Sequence, residues 1–191
     1  MIEISSGTIS IDSQDLSLIL RETVRSCLNI VPQEPFFLHG TIRLNLDPSC
    51  STTTPLIETA LKRVALYDLV ISKGGLDVHM NEEFLSHGQR QLFCLARALL
   101  RPGKILALDE VTSSIDLDTD VLMQRIVREE FKNHTIIAIA HRLETIRDFD
   151  RVVVMDEGRI VECDATEILL KKEGSAFRKL FEMYKTPEKG I

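Results

Sequence analysis

Short apolar runs alternate along this chain with longer amphipathic segments, and no other feature of the sequence limits its fold as much. The run from Ile105 to Leu108 is apolar at every position, as expected of a strand buried on both faces of a parallel sheet. Leu28 to Pro32, where proline stops the run, and Thr135 to Ala140 have a similar pattern. Because amphipathic helices separate these strands, the sequence predicts an α/β domain with a mainly parallel sheet.

Two further segments have the pattern of strands. Gly7 to Asp12 alternates apolar and polar residues, which predicts a strand. Arg151 to Met155 and Arg159 to Val161 flank the turn residues Asp156-Glu157-Gly158, and this arrangement predicts a β-hairpin.

Helical periodicity is clear in the segments between the strands. Thr54-Pro55 has the cap and the first-turn proline that begin a helix. Apolar residues recur with helical spacing in Gln89 to Leu100, Thr119 to Lys132 and Ser175 to Tyr184. The segment between Gly40 and Gly88 lacks a long apolar strand, so we expect a helical subdomain inserted into the α/β core.

Composition and charge exclude several classes of protein. The chain has 191 residues, of which 44% are apolar, so it can bury a core and is not expected to be disordered. Its formal charge of −6 argues against a nucleic-acid partner, which requires a basic face. No apolar run approaches the roughly 20 residues that cross a bilayer, and the first residues lack the pattern of a signal peptide. The four cysteines stand far apart, which favours reduced thiols in the cytosol over disulfides or a zinc site.

Polar side chains of a catalytic kind follow three of the apolar strands. Gln33 follows the first, Asp109 and Glu110 follow the second, and His141 follows the third. The carboxyl ends of parallel strands meet at one edge of a sheet, where ligands bind. The sequence therefore predicts that an amide, two acids and an imidazole converge there.

The adjacent acids suit a site for a magnesium-bound nucleotide. Asp109 would hold Mg²⁺, directly or through water, and Gln33 would supply a further oxygen. Glu110 would orient and polarise the attacking water, while His141 would contact the γ-phosphate. Taken singly, Glu110 is also compatible with a solvated loop acid and His141 with a helix-entry residue.

Leu85 to Gln91 forms a second constellation at the start of a predicted helix. Ser86 and Gln89 have the spacing of a capping box, which begins helices and need have no other role. A helix N-terminus also carries free N–H groups and partial positive charge, and Gly88 would let the backbone approach a phosphate closely. Capping alone and anion binding both remain open from these residues.

Together these segments resemble the motifs of ATP-binding-cassette (ABC) proteins, and they occur in the family's order. Leu85 to Gln89 resembles the signature motif, and Ile105 to Glu110 resembles the Walker B strand with its catalytic glutamate. Ser113 to Asp116 resembles the D-loop, Gln33 the Q-loop glutamine and His141 the switch histidine.

Three longer segments make the resemblance more specific, because they are similar to the second nucleotide-binding domain of multidrug-resistance-associated, or C-subfamily, exporters. Gly40 to Pro48, Gly88 to Leu100 and Ile139 to Leu143 are similar to segments of that domain. The resemblance covers Ile2 to Tyr184, nearly the whole chain. His87 departs from the pattern, since glycine is the commonest residue there.

The resemblance implies an ATPase domain that couples ATP hydrolysis to transmembrane transport, with ATP and Mg²⁺ as ligands. It assigns catalysis to Glu110 and His141, and metal binding to Asp109 and Gln33. The nucleotide contacts that it implies come from Gln33, Ser86, Gly88, Gln89, Asp109 and Asp116.

The resemblance also implies two kinds of partner. A second ABC nucleotide-binding domain would face the signature motif in a sandwich dimer, with residues 86–88 opposite the γ-phosphate held by that domain. Transmembrane domains of an exporter would contact the segment from Gln33 to Asp47. The implied location is the cytosolic face of a membrane, and the isolated chain would be cytoplasmic.

The family's phosphate-binding P-loop, Gly-x-x-x-x-Gly-Lys followed by Ser or Thr, does not occur in this sequence. The one Gly-Lys pair, Gly103-Lys104, leads into an apolar strand instead. We therefore expect a single incomplete P-loop-NTPase-like domain that begins near the end of the P-loop helix. Its expected parts are a core remnant (1–33), the helical subdomain with the signature motif (40–100), and the Walker B and switch-histidine half with the C-terminal helices (101–184).

An incomplete domain is expected to bind and hydrolyse ATP poorly on its own and to expose part of its core. The alternative is a non-catalytic remnant or regulatory module that docks on a complete ABC domain through its signature motif. ABC ATPases of DNA maintenance share some of these motifs, but they carry long coiled coils. This sequence has no sustained heptad pattern and an acidic charge, which argue against that class.

Overall fold

The computed structural model describes residues 4–81, 83–111, 115–139 and 143–185. The chain forms two compact units, residues 1–139 and residues 140–191. The strands of the first unit are β1 (Ser10–Ile11), β2 (Gln14–Asp15), β3 (Leu28–Val31), β4 (Ile105–Asp109) and β5 (Thr135–Ile139). Its helices are α1 (Arg21–Cys27), α2 (Ile42–Leu46), α3 (Thr54–Arg63), α4 (Tyr67–Ser72), α5 (His87–Leu99) and α6 (Leu117–Glu130), with a 3-10 turn at Leu16–Leu18.

Strands β3, β4 and β5 form the parallel sheet that the apolar runs predict, and the α/β fold class is confirmed. Strand β4 lies in the middle and pairs with β3 on one side and β5 on the other. Val31, Leu106 and Leu108 belong to a buried cluster that also includes the apolar face of α5. The central strand is therefore held by hydrogen bonds on both edges and by helix packing on one face.

Helix α5 is the main support of this sheet. Its buried side includes Leu92, Phe93 and Leu95, which are at most 4% exposed. Burial of side chains of this size stabilises the fold by roughly 1.5–3 kcal/mol each. The helix contacts β3, α3 and α6, so the position of its first turn is fixed relative to the carboxyl edge of the sheet.

Three helices, α2, α3 and α4, occupy the segment between Gly40 and Gly88. The Thr41 side chain caps α2 by accepting a hydrogen bond from the Leu44 N–H at 3.1 Å. Pro55 lies in the first turn of α3, where a missing N–H costs nothing. This segment is helical, and the subdomain boundaries proposed from the sequence stay predictions.

The predicted strand from Gly7 to Asp12 is wrong in its extent. The structure has a small antiparallel hairpin instead, in which Ser10 pairs with Asp15 and Ile11 with Gln14. Asp12 and Ser13 form the turn with φ of 49° and 65°. Two consecutive positive φ values are typical of a type I′ turn, whose twist matches that of the strands.

One face of the parallel sheet is largely uncovered. Ile30, Ala107 and Ile137 lie side by side across the three strands, and Ile139 follows on the same face of β5. The three isoleucines are 58–59% exposed. This row of side chains is therefore an exposed apolar surface on the sheet.

The second unit contains α7 (Leu143–Ile146), β6 (Val152–Asp156), β7 (Arg159–Asp164), α8 (Thr166–Lys171) and α9 (Ala176–Lys185). Strands β6 and β7 pair antiparallel, which confirms the predicted hairpin. A small core of Val152, Leu169, Phe177 and Phe181 holds the helices against it. Within the described ranges, no helix has both the length and the apolar character needed to cross a bilayer.

Candidate functional site

Gln33 and Glu110 meet at the carboxyl edge of the parallel sheet. Strand β3 ends at Val31 and β4 ends at Asp109, so the residues that follow them emerge side by side. The Gln33 Nε2 amide donates a hydrogen bond of 3.0 Å to Glu110 Oε2. Two of the polar groups that the strand ends predict are therefore in direct contact, although 77 positions separate them in the chain.

The backbone at Glu110 turns the chain sharply after β4. Its φ of 48° lies in the left-handed region, which is unfavourable for a residue with a side chain. The Glu110 N–H donates to the Ile139 carbonyl at 2.9 Å, and this bond extends the β4–β5 pairing by one step. The strained backbone and this hydrogen bond together fix where the carboxylate stands.

Asp109 ends β4 on the uncovered face of the sheet and is exposed to solvent. Carboxylate and amide oxygens suit Mg²⁺, which usually keeps several waters, so the donor chemistry of Asp109 and Gln33 fits this ion. Nε2 of Gln33 is bonded to Glu110, which leaves the amide oxygen of Gln33, Oε1, as the atom able to ligate a cation. Across the described ranges, no group of three or more His, Cys, Asp or Glu side chains has the arrangement of a metal site.

Three residues named by the sequence lie outside the described residues. His141 is the switch histidine of the resemblance, and Ser113 and Ser114 begin its D-loop. Their predicted roles therefore stay predictions.

The first turn of α5 has the capping box that the sequence predicts. The Ser86 hydroxyl accepts from the Gln89 N–H at 3.3 Å, and Gln89 Oε1 accepts from the Ser86 N–H at 2.9 Å. Ser86 and His87 are exposed, so this end of the helix is open to an approaching ligand. Capping is the role that these contacts establish, and anion binding stays a prediction.

Gly88 brings α5 against the start of α6. A Cβ atom at Gly88 would stand 2.8 Å from Thr119 Cγ2, closer than carbon atoms approach. Asp116 caps α6 by accepting from the Thr119 N–H at 2.9 Å and from its hydroxyl at 2.7 Å. These hydrogen bonds lower the pKa of Asp116. The sequence positions of the signature motif and the D-loop thus meet through one threonine.

The sequence profile of the ABC transporter family matches residues 1–113, more than half of the chain. The chain belongs to this family. It is 53% identical over 181 residues to ABC multidrug transporter B of Aspergillus fumigatus, a match that covers 95% of this chain and 12% of that protein. ABC transporter C family member 9 of Arabidopsis thaliana is 44% identical, with 96% of this chain and 12% of the relative covered.

A solved structure of a bacterial Atm1-family ABC exporter with ATP bound has a similar fold. The TM-score is 0.86 at 30% identity, and the match covers 96% of this chain and 33% of the exporter chain. The ABC transporter fold and the resemblance to C-family members are confirmed. This chain spans about an eighth of the length of the curated relatives named above.

Arg97 anchors the segment that the ABC resemblance assigns to the transmembrane partner. Its guanidinium donates to the Phe36 carbonyl at 2.7 Å, and to both the backbone carbonyl and Oδ1 of Asn45. It also lies over the Phe37 and Phe93 rings, 4.8 and 5.3 Å from their centroids. Sequence reasoning missed Arg97, and the signal was an arginine inside an otherwise apolar helical stretch.

The same segment of the ABC domain presents apolar side chains outward. Phe36 is 71% exposed and Leu38 is 37% exposed, although the backbone beneath them is held by Arg97 and Asn45. Asn45 is itself fully buried and bonds to both the N–H and the carbonyl of Leu38. A rigid backbone with exposed apolar side chains is suited to docking against another protein surface.

We expect Gly88→Ala to lower the free energy of unfolding by about 1–3 kcal/mol, because the added methyl group overpacks the contact with Thr119. Urea denaturation followed by circular dichroism measures the change. His87→Ala, at an exposed position in the same turn, is the matched control and should change stability by less than about 0.5 kcal/mol. Equal stability of Gly88→Ala and the parent chain would contradict the close packing.

Asp47 makes stability depend on acid pH. Burial raises its pKa, but hydrogen bonds from the Ser49 hydroxyl and the Thr52 N–H, both 2.6 Å long, outweigh this and lower the pKa to about 2. Because the folded value lies below the unfolded value of 3.8, the contribution is present above pH 4 and is lost as pH falls toward 2. Allowing for solvent screening at this loop, we expect a loss of about 1–2 kcal/mol.

Urea denaturation at a series of pH values between 5 and 2 checks this expectation for Asp47. The matched variant is Asp47→Asn, which keeps the shape but cannot titrate. The parent chain should lose more stability than this variant across the range. Parallel losses in the two proteins would show that other carboxyl groups cause the effect.

Proposed function

We propose that this chain forms the ATP-binding and ATP-hydrolysing part of an exporter's nucleotide-binding domain, coupling hydrolysis to transmembrane transport. The observation that carries the proposal is the contact of Gln33 with Glu110 beside Asp109, at the carboxyl edge of the sheet. An amide, a carboxylate held in a strained turn and a second, exposed carboxylate are the groups that a magnesium-nucleotide reaction uses.

In this proposal Glu110 accepts a proton from the water that attacks the terminal phosphate. The hydrogen bond from Gln33 keeps its carboxylate aimed at that water. Asp109 and Oε1 of Gln33 would hold Mg²⁺, which would supply positive charge to offset the charge that develops on the phosphate. His141 would contact the γ-phosphate.

The signature end of the chain acts on a partner's nucleotide. Ser86, Gly88 and Gln89 lie in the first turn of α5, where Ser86 is exposed and the helix N-terminus carries a partial positive charge that favours an anion. Asp116 lies next to this turn through Thr119 and would also contribute to the interface. We propose a second ABC nucleotide-binding domain as the partner that brings the γ-phosphate to this turn.

The transmembrane partner would dock on the segment from Gln33 to Asp47. The exposed Phe36 and Leu38 supply the apolar contact, and Arg97 keeps their backbone from moving independently of α5. Closure of the nucleotide site would then be passed to the membrane domain as a rigid displacement. In this proposal the domain lies at the cytosolic face of a membrane.

The 191 residues contain no P-loop, so we propose that the chain alone binds ATP weakly and hydrolyses it near the background rate. The P-loop lysine and its backbone N–H groups supply most of the contacts to the β- and γ-phosphates. Release of phosphate from ATP by the purified chain measures this directly. Rapid turnover by the chain alone, abolished by Glu110→Gln, would contradict it.

A hybrid domain tests the catalytic proposal itself. An N-terminal segment that contains the P-loop, taken from a fungal relative, is joined to residues 1–191 of this chain. We expect the hybrid to hydrolyse ATP in the presence of Mg²⁺ and to lose turnover when Mg²⁺ is removed. A hybrid that binds ATP without hydrolysing it would overturn the proposal.

The alternative is a regulatory module that docks on a complete ABC domain through its signature motif. Adding the chain to a complete ABC domain separates the two functions. A change in that domain's turnover, lost with Ser86→Ala, combined with an inactive hybrid, would support the regulatory module.

A further inference from the structure

We propose that Gln91, in the second turn of α5, is a positioning residue that sets the reach of Gln33 to Glu110. The inference rests on the proposed function, because it assigns the residue that holds two members of that site in register. The described contacts of Gln91 run to the backbone of the loop after β3.

Gln91 is fully buried, and its side chain is hydrogen-bonded to the backbone of that loop. Nε2 donates to the Gln33 carbonyl at 2.7 Å and to the Pro32 carbonyl at 3.3 Å. The same amide group is thus bonded to two successive peptide units. Because both carbonyls are bonded to one side chain of α5, the loop has little freedom to slide along this helix.

The oxygen of the Gln91 amide indicates that this side chain does more than fill space in the core. Among the described residues, its Oε1 has no hydrogen-bond partner although it is buried. A buried polar atom left unpaired is unfavourable, and an apolar side chain of the same size would avoid this cost. The Gln91 amide therefore stabilises the fold only through the hydrogen bonds that Nε2 donates to the two carbonyls.

The loop needs such a support because of its proline. Pro32 has no N–H, so the chain loses a backbone donor at the position where β3 ends. Immediately after it, Gln33 must place an exposed side chain within 3.0 Å of Glu110. The bond from Gln91 fixes the Gln33 backbone where the ladder of β3 no longer does.

Gln91 also links the two ends of the site. It lies five residues after Ser86 on one rigid helix, so a shift of the signature turn carries the Gln33 backbone with it. The Gln33 side chain then transmits that shift to Glu110. Signature motif and catalytic acid are coupled through one buried amide.

The test is a double-mutant comparison by NMR on the full 191-residue chain without nucleotide. The chain has five glutamines, and labelling them with ¹⁵N gives five side-chain nitrogen resonances. The Gln33 signal is the one that disappears in Gln33→Met. We expect Glu110→Ala to shift this signal in the parent chain and to leave it almost unmoved in the Gln91→Met background.

Leu95→Val is the matched control for lost stability. Leu95 is fully buried on the same helix and is not bonded to the Gln33 loop. In this background the shift caused by Glu110→Ala should persist. If the shift also persists in Gln91→Met, or disappears equally in Leu95→Val, the positioning role is wrong.

A second variant covers the case in which Gln91→Met does not fold, as judged by circular dichroism. Gln91→Asn keeps an amide but is one carbon too short to reach the Gln33 carbonyl, and it should uncouple the two residues in the same way. An unchanged shift in Gln91→Asn would overturn the inference. These measurements use no ATP, so failure of the hybrid to hydrolyse ATP overturns the proposed function and leaves their outcome standing.

Discussion

Replacing Glu110 by glutamine should lower the ATP turnover of the hybrid domain by about 10²–10⁴-fold, the usual contribution of a general base. Glutamine matches glutamate in size and can still meet the Gln33 amide through its oxygen, so the fold is expected to persist. It cannot accept a proton from water at neutral pH. The loss therefore falls on kcat, with KM for ATP little changed.

Steady-state phosphate release by the hybrid measures both constants for Glu110→Gln. Glu129→Gln is the matched control, since Glu129 is an exposed acid on α6 away from the sheet edge. Turnover should be unchanged in that variant. A loss in Glu110→Gln smaller than tenfold would show that Glu110 is not the base.

Replacing Arg97 by methionine should lower the free energy of unfolding by about 3–4 kcal/mol. The guanidinium donates hydrogen bonds to the Phe36 carbonyl and to two oxygens of Asn45. Hydrogen bonds that involve a charged group contribute about 1.5–3 kcal/mol each. Because the three bonds share one side chain, their contributions do not add fully. Contacts with the Phe37 and Phe93 rings add to this. Burial lowers the pKa of Arg97, but a guanidinium remains charged in a folded protein.

Urea denaturation of the chain measures the effect, with Arg101→Met as the matched control at an exposed position just after α5. That control should change stability by less than about 0.5 kcal/mol. Arg97→Lys should lie between the two, because it keeps the charge but loses the planar fork. A loss below about 1 kcal/mol in Arg97→Met would show that water replaces these contacts.

The parallel sheet and the meeting of Gln33 with Glu110 follow from the sequence because both depend on chain direction. An apolar run of four or five residues predicts a strand of a parallel sheet, and parallel strands end at one edge. The residues after β3 and β4 are therefore neighbours whatever the loops between them do. The capping box of α5 is equally local, since Ser86 and Gln89 are three residues apart.

Gln91 and Arg97 could not be assigned from the sequence because their partners are backbone carbonyls. Gln91 reaches a carbonyl 58 residues away, and Arg97 reaches one 61 residues away. Every residue has a carbonyl, so no pattern of side chains identifies which one is bonded. Periodicity puts both residues on α5 but gives no partner for either.

The small hairpin at the start escaped prediction for a different reason. Asp12 and Ser13 adopt positive φ without a glycine or asparagine, so the usual sequence signal of a type I′ turn is missing. The alternation of apolar and polar residues covers Gly7 to Asp12, up to the first turn residue, and predicts one strand there. The positive φ values of Asp12 and Ser13 form the turn of this hairpin, and the residue types at these positions did not predict them.

The left-handed backbone at Glu110 lowers the stability of the fold at the residue to which we assign proton transfer. Holding a residue with a Cβ at a φ of 48° costs about 1–2 kcal/mol, and glycine would remove that cost. Glu110→Gly would therefore yield a more durable protein without its acid. In the proposed function, the chain keeps an acid at this position at the expense of folding stability.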